Sequence, residues 1–317
     1  MPFRGFADVW TPLVPARDVR NKPVRVALAG EALVLFRDGQ GRPGALIDRC
    51  PHRGVALSLG RVAADGCLEC PFHGWRFDVT GANRGVPLNP EARLETLGAQ
   101  ALPTREVGGL IWVYTRPGAV EPPEPAIPPA LVDPDLARTV VRRDWACHWT
   151  RAMENMLDGQ HLPFVHRRTI GRSLRRRMRP DSRMDVSWED TGFGGRILAA
   201  LDGRDGGSLL EFYRPNIMVL HIPIPRRRLR LHALVVPAET GRTRLMVVAV
   251  RDFARSPLLE PLFAWMNGRI VDEDQAVVES SGPEECPPAA EERSVATDRA
   301  TLQFRRYYYG VLRGSGA

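Results

Sequence analysis

Two short segments constrain this chain more than any others: Cys50-Pro51-His52 and Cys70-Pro71-Phe72-His73. They read C-x-H and C-x-x-H, separated by the 17 residues from Arg53 to Glu69. Two thiolates and two imidazoles on a pair of matching loops suit a 2Fe–2S cluster, the histidines taking one iron and the cysteines the other. Zinc is the competing occupant, because Cys67 and Cys70 also form a C-x-x-C and zinc accepts both residue types. The loops match beyond their ligands, as CPHRG and CPFHGW, which favours a cluster held by Cys50, His52, Cys70 and His73. Cys67 is then a spare thiol.

This pattern resembles the Rieske proteins. Those of respiratory chains carry hydroxyl side chains where Trp75 and Phe77 stand here, and such hydroxyls raise the potential by donating toward the cluster. Without them, the expected potential lies near the low end of the Rieske range, about −150 mV.

At 317 residues the chain has room for two domains with real cores. Its hydrophobic content is 44%, with no apolar run long enough for a membrane span. Met1-Pro2-Phe3-Arg4 does not resemble a signal peptide, so a cytoplasmic location is expected. Five cysteines, with Cys147 and Cys286 isolated, make no disulfide framework. The net charge of +7 is carried almost wholly by arginine, concentrated in 167–179 and 226–230. These stretches read as a solvated surface or as a docking face for an acidic redox protein. No nucleic-acid-binding motif accompanies them.

Short β-type runs cover 24–28, 33–36 and 45–47, with Asp38-Gly39-Gln40-Gly41 as a turn, and Gly108-Gly109 precedes another run at 110–114. Seven prolines (117, 122, 123, 125, 128, 129 and 134) then mark an extended linker. The expected organisation is a cluster domain over 1–116, a linker over 117–134 and a second domain over 135–317. That second domain opens with helical character over 143–160. It continues with β-type runs at 196–201, 208–213, 217–222, 229–236 and 244–250, which suggest an antiparallel sheet, and a long helix over 258–280.

A second metal site is suggested by the stretch from Glu154 to His166. Asp158 and His161, spaced i, i+3, are expected on one helix face. Pro163 is expected to kink the chain so that His166 turns back toward His161. Two histidines need one carboxylate to form a facial triad for non-haem iron(II). In the long helix, Leu259, Phe263, Met266 and Ile270 mark the expected buried stripe. Asp274 lies about 40° from Ile270 and Glu273 about 60° to the other side, while Asp272 points away. Geometry leaves Asp274 and Glu273 as rivals.

The whole chain resembles the oxygenase component of Rieske non-haem iron oxygenases, in the branch that includes aromatic O-demethylases and related monooxygenases. The resemblance rests on the cluster loops, on N-x-x-D-x-x-H-x4-H at 155–166, and on E-D-x-x-V-x-E at 273–279. It implies His161, His166 and Asp274 as ligands of a mononuclear iron, with Asn155 near that iron. It implies an α+β chain: an N-terminal antiparallel β Rieske domain and a C-terminal helix-grip catalytic domain with an antiparallel sheet. It also implies a homotrimer in which Asp158 bridges His73 of one chain and His161 of the next. NAD(P)H would supply electrons through a ferredoxin or flavin reductase, and O2 would be the co-substrate. The expected reaction is hydroxylation or O-/N-demethylation of an apolar, aromatic or polycyclic small molecule. A cis-dihydroxylating ring dioxygenase and a Rieske electron carrier are the alternatives. Phe212, Tyr213, Met218, Leu220, His221 and His232 are candidate pocket residues, the two histidines reading better as structural.

Overall fold

Turn signals every few residues favour short hairpin-connected strands in the first third of the chain. The computed structural model describes residues 2–203 and 207–314. They divide into two units between Pro125 and Ala126, inside the proline-rich segment.

The first unit is built from three antiparallel sheets. Val24–Leu28, Glu31–Arg37, Pro43–Ile47 and Ala101–Leu102 form one, and Trp10–Pro15, Leu110–Tyr114 and Thr104–Val107 another. The third consists of four very short strands, Arg61–Val62, Leu68–Glu69, Arg76–Phe77 and Asn83–Gly85. The core between them includes Val34, Phe36, Leu46, Leu57, Leu68 and Phe77, and it extends directly onto Cys50 and Cys70.

The second unit is one seven-stranded antiparallel sheet with helices. Its strands lie in the spatial order Ala137–Trp145, Thr243–Arg251, Arg227–Pro237, Ile217–Ile224, Ser208–Tyr213, Gly194–Leu201 and Met184–Thr191. The first strand therefore pairs with the last, nine residues in register from Ala137↔Arg251 to Trp145↔Thr243. The helices are α1 (Trp149–Leu157), α2 (Leu162–Val165), α3 (Arg172–Arg177), α4 (Glu260–Glu279) and α5 (Arg299–Tyr307).

Two expectations are corrected. Residues 143–145 are strand, not helix, because Arg143, Asp144 and Trp145 complete the ladder against Thr243–Leu245. The edge strand Met184–Thr191 and helix α5 are additions to the expected elements, although Met184, Val186 and Trp188 alternate with polar residues and Ala300, Phe304 and Tyr308 recur at helical spacing. The buried stripe of α4 is Asn267, Val271, Asp274 and Val278, whereas Met266 is 47% exposed and Leu259 37%. Helix α4 packs on Ala137–Trp145, and Gly268, buried in that helix, lies where a Cβ would stand 2.9 Å from the Arg143 guanidinium.

Candidate cluster and metal sites

The two cluster loops are the same local structure built twice. Cys50 N–H donates to Val55 O and Gly54 N–H to Cys50 O; Cys70 N–H donates to Trp75 O and Gly74 N–H to Cys70 O. Both glycines have positive φ, +74° and +70°, a backbone region that side chains disfavour. The thiols lie in the core, 3% and 2% exposed, while His52 and His73 sit at the surface with ring centroids 4.7 Å apart. His52 stacks on Trp75 at 4.6 Å and 4°.

Burial pushes the Cys50 thiol up to about 11, and the neighbouring Cys70 thiol pushes the same way. Two adjacent buried thiolates need a compensating cation. The backbone amides of His52 and Arg53 already favour negative charge on the Cys50 sulfur. His52 Nδ1 is buried with no hydrogen-bond partner. Paired thiols below paired imidazoles, with a free ring nitrogen, fit a 2Fe–2S cluster carrying two Cys and two His. Cys67 is buried beside the loop and follows Asp65, whose carboxylate accepts from Cys67 N–H.

In the second unit, α1 ends at Leu157, and Asp158 turns the chain out of the helix. Its Oδ1 accepts from Gln160 N–H at 2.7 Å. Asp158 and His161 therefore do not share a helix face, because this side-chain turn and Gly159 break the helix between them. Pro163 also acts differently from expectation. It occupies the first turn of α2, where a missing N–H costs nothing, and so starts that helix instead of kinking it. His161 and His166 flank α2 at its two ends. Their ring centroids are 5.1 Å apart.

Asp274 comes to the same point from α4. Its Oδ1 is 3.0 Å from His166 Nε2 and 3.5 Å from His161 Nε2, yet that oxygen makes no hydrogen bond. One ligand atom from each of the three residues lies within 4.8 Å of the others. Close approach without hydrogen-bond alignment, with Asp274 4% exposed, fits a cation at their centre. Burial pulls the His166 imidazole down, but the Asp274 and Glu273 carboxylates pull harder and hold it above its ordinary value.

Glu273, the sequence rival of Asp274, has a different place. Its Oε2 lies 2.9 Å from His166 Nδ1 and accepts from Thr169 Oγ1–H at 2.6 Å. With His166 Nε2 facing Asp274, the Nδ1–H donates to Glu273, which fixes the ring's tautomer and orientation. Asp272, as expected, points away and pairs with Arg143 at 2.6 Å.

Helix α1 is anchored by a buried ion network. Glu154 accepts from Arg151 (3.0 Å) and from Arg305 of α5, and both arginines also reach Glu292. Trp149 packs edge-on against Phe304 and Tyr308. Arg151 and Trp149 thus hold the helix that carries Asn155 and delivers the chain to His161.

A cavity opens on the three ligands, bounded by Ile270 and Val271 of α4 and by the sheet residues Leu210, Met218, Leu220 and Leu231. Asn155 and Asp158 also border it. Its empty volume, part of it open to solvent, is about 580 Å³. Of the candidate pocket residues, Met218 and Leu220 line it. Phe212 and Tyr213 pack instead on Phe304 and Phe193, and His221 pairs with Glu211 at 3.1 Å. His232 lies next to Val248 O (3.1 Å from Nδ1), and burial pushes it down to about 4. Sequence reasoning missed Asn267 and the role of Glu273, although the polar Asn267 seven residues before Asp274 was a readable signal.

Comparison with known proteins agrees with both halves of this geometry. Residues 9–103 match the Rieske [2Fe-2S] domain, and residues 205–313 match the vanillate O-demethylase oxygenase C-terminal domain. The chain is 27% identical over 325 aligned residues to chlorophyllide a oxygenase of Chlamydomonas reinhardtii, covering 97% of this chain and 48% of that protein. It is 34% identical over 165 residues to the 5,5'-dehydrodivanillate O-demethylase oxygenase subunit of a Sphingobium strain, covering 50% of this chain and 38% of that one. The chain spans about half or less of the length of these curated relatives. Among solved structures, NdmB of Pseudomonas putida CBB5 superimposes with a TM-score of 0.81 at 26% identity, covering 97% of this chain and 91% of that one. The two cluster loops fall in the first matched stretch and Asp274 in the second, so the chain carries a Rieske [2Fe-2S] domain and, on the other side of the proline-rich segment, a vanillate O-demethylase oxygenase C-terminal domain.

Proposed function

We propose that this chain is the catalytic component of a Rieske monooxygenase that hydroxylates, or O- or N-demethylates, an apolar small molecule. The observation that carries the reading is the convergence of His161, His166 and Asp274 on one point beside an apolar cavity. A dedicated electron carrier has no use for such a site.

Cys50, His52, Cys70 and His73 would hold the 2Fe–2S cluster, and His161, His166 and Asp274 the mononuclear iron. Bound there, iron(II) supplies the open coordination positions at which O2 is reduced with electrons relayed from the cluster. Glu273 holds the His166 proton on Nδ1 and so keeps Nε2 free as a ligand. Asp158 Oδ2 lies 3.6 Å from His161 Nδ1, which has no hydrogen-bond partner, so a small approach would let it accept that ring's proton while its partly exposed side takes a second hydrogen bond. In a homotrimer this partner would be His73 of a neighbouring copy. Leu210, Met218, Leu220 and Leu231 exclude water and orient an apolar substrate against the ligands. Hydroxylation of a methoxy carbon would give a hemiacetal that collapses to an alcohol or phenol and formaldehyde.

An acidic ferredoxin or a flavin reductase, fed by NAD(P)H, would be the electron donor. The exposed arginines of α3 offer it complementary charge, with Arg175 resting over the exposed Phe164 ring. No helix among the described residues is long and apolar enough to cross a membrane, and we place the protein in the cytoplasm.

The test is iron and acid-labile sulfide per chain, with nitric oxide added to the reduced protein. About three irons to two sulfides and a ferrous-nitrosyl signal support the reading. About two irons, with no nitrosyl signal after ferrous iron is added, refute it. Labelled O2 then separates one-atom incorporation from two-atom incorporation by a ring dioxygenase.

A further inference from the structure

Apart from the carboxylates of Asp158 and Asp274 and the two histidines, the cavity wall is apolar but for two amides. Asn267 is 7% exposed, and its Nδ2 is buried without a hydrogen-bond partner; Asn155 Nδ2 is in the same state. Leaving a buried N–H unpaired costs about 1–3 kcal/mol. Nothing in the packing of α4 asks for that cost, since its neighbours on the cavity side are Ile270 and Val271. Asn267 precedes Asp274 by seven residues, so it lies on the same helix face about 10 Å along the axis.

The cavity also lacks something. The chain has 44 Lys and Arg residues, yet among the described residues none lines it. Its charged groups, apart from the histidine ligands, are the carboxylates of Asp158 and Asp274. A substrate carboxylate entering here would be desolvated with no side-chain cation to meet it, which is unfavourable. A neutral acceptor needs only an N–H donor, and the site presents one unpaired.

We infer that Asn267 is a specificity residue that donates through Nδ2–H to a neutral acceptor, a carbonyl oxygen or ring nitrogen, on an uncharged and otherwise apolar substrate. The reacting carbon sits at the His161–His166–Asp274 end of the cavity and the acceptor at the Asn267 end. This inference rests on the oxygenase reading of the same site.

The test uses the iron-loaded protein under anaerobic conditions and three para-substituted anisoles of similar size: para-methoxyacetophenone, para-ethylanisole and para-methoxybenzoate. Calorimetry measures affinity, and the ferrous-nitrosyl signal independently reports the iron site. The ketone is expected to bind about tenfold tighter than either other probe, the worth of one good hydrogen bond. Asn267→Leu and the near-isosteric Asn267→Asp should each remove that advantage and leave para-ethylanisole within about twofold. Benzoate binding as tight as the ketone overturns the inference, as does ketone affinity unchanged in both variants or no binding of any probe. A missing nitrosyl signal refutes the oxygenase reading; a normal signal with the wrong order of probes refutes only the role of Asn267.

Discussion

The proposed cluster site and the proposed iron site address the same problem, holding a metal with few ligands, in opposite ways. The four proposed cluster ligands lie within 24 residues, 50–73, on two copies of one loop whose backbone hydrogen bonds close on themselves. The proposed iron site draws two histidines from the ends of α2 and one aspartate from α4, 113 residues beyond His161. Its geometry is no better than the packing of α4 on the sheet and the tethering of α1. A self-contained motif tolerates change around it; a site assembled by tertiary structure inherits every disturbance of its supports.

The largest effects test whether the two sites are separable. Asp274→Ala should abolish mononuclear iron binding and turnover while leaving the cluster spectrum intact, seen as about one iron lost per chain. Cys70→Ser should do the reverse, removing the cluster and leaving the ferrous-nitrosyl signal. If either variant emptied both sites, the comparison would fail.

Next come the supports. Glu154→Ala leaves Arg151 and Arg305 buried without their shared carboxylate, and should destabilise the second unit by about 3–5 kcal/mol. Chemical denaturation should then show the second unit unfolding early while the cluster absorbance persists. Glu273→Gln should weaken iron binding about 10–100-fold, because the His166 ring loses its charged acceptor. Iron affinity measured against a competing chelator checks this, and an unchanged affinity would mean that packing alone orients the ring.

The smallest effect is acid sensitivity. His232 titrates near 4 in the folded chain against an ordinary value of 6.5. Between those values the unfolded chain takes up a proton that the folded chain refuses, so stability falls as pH drops. The expected loss from this group is about 2 kcal/mol between pH 7 and pH 5. Urea midpoints at the two pH values should differ less in His232→Gln.

The same contrast explains what could be read in the sequence. The cluster loops were legible because spacing and repetition lie in one short stretch, and strands 24–28, 110–114 and 208–213 followed from alternation and turn residues. The proposed ligand role of Asp274 needed family resemblance, because helical periodicity left Asp274 and Glu273 as rivals on either side of the expected stripe, and that stripe ran through Leu259 and Met266, which are in fact exposed. Periodicity assumes that large apolar side chains mark the core. On α4 the buried polar residues Asn267 and Asp274 face a cavity instead of the packed interior. The break at Asp158–Gln160 was likewise hidden, since i, i+3 spacing cannot report a helix that ends between its two members.

The pairing of Ala137–Trp145 with Thr243–Arg251 has a consequence for synthesis on the ribosome. The first unit is complete in sequence by Pro125, and the backbone hydrogen bonds of its two cluster loops close within residues 50–75. The first strand of the large sheet must wait for a partner made about a hundred residues afterwards, and the two histidines wait about as long for Asp274. At ordinary elongation rates that interval is on the order of ten seconds. Through it, one edge of a nascent strand and a pair of metal-binding imidazoles stand uncovered, so nascent chains should be captured by a holdase or a stray divalent metal in that window more than before or after it.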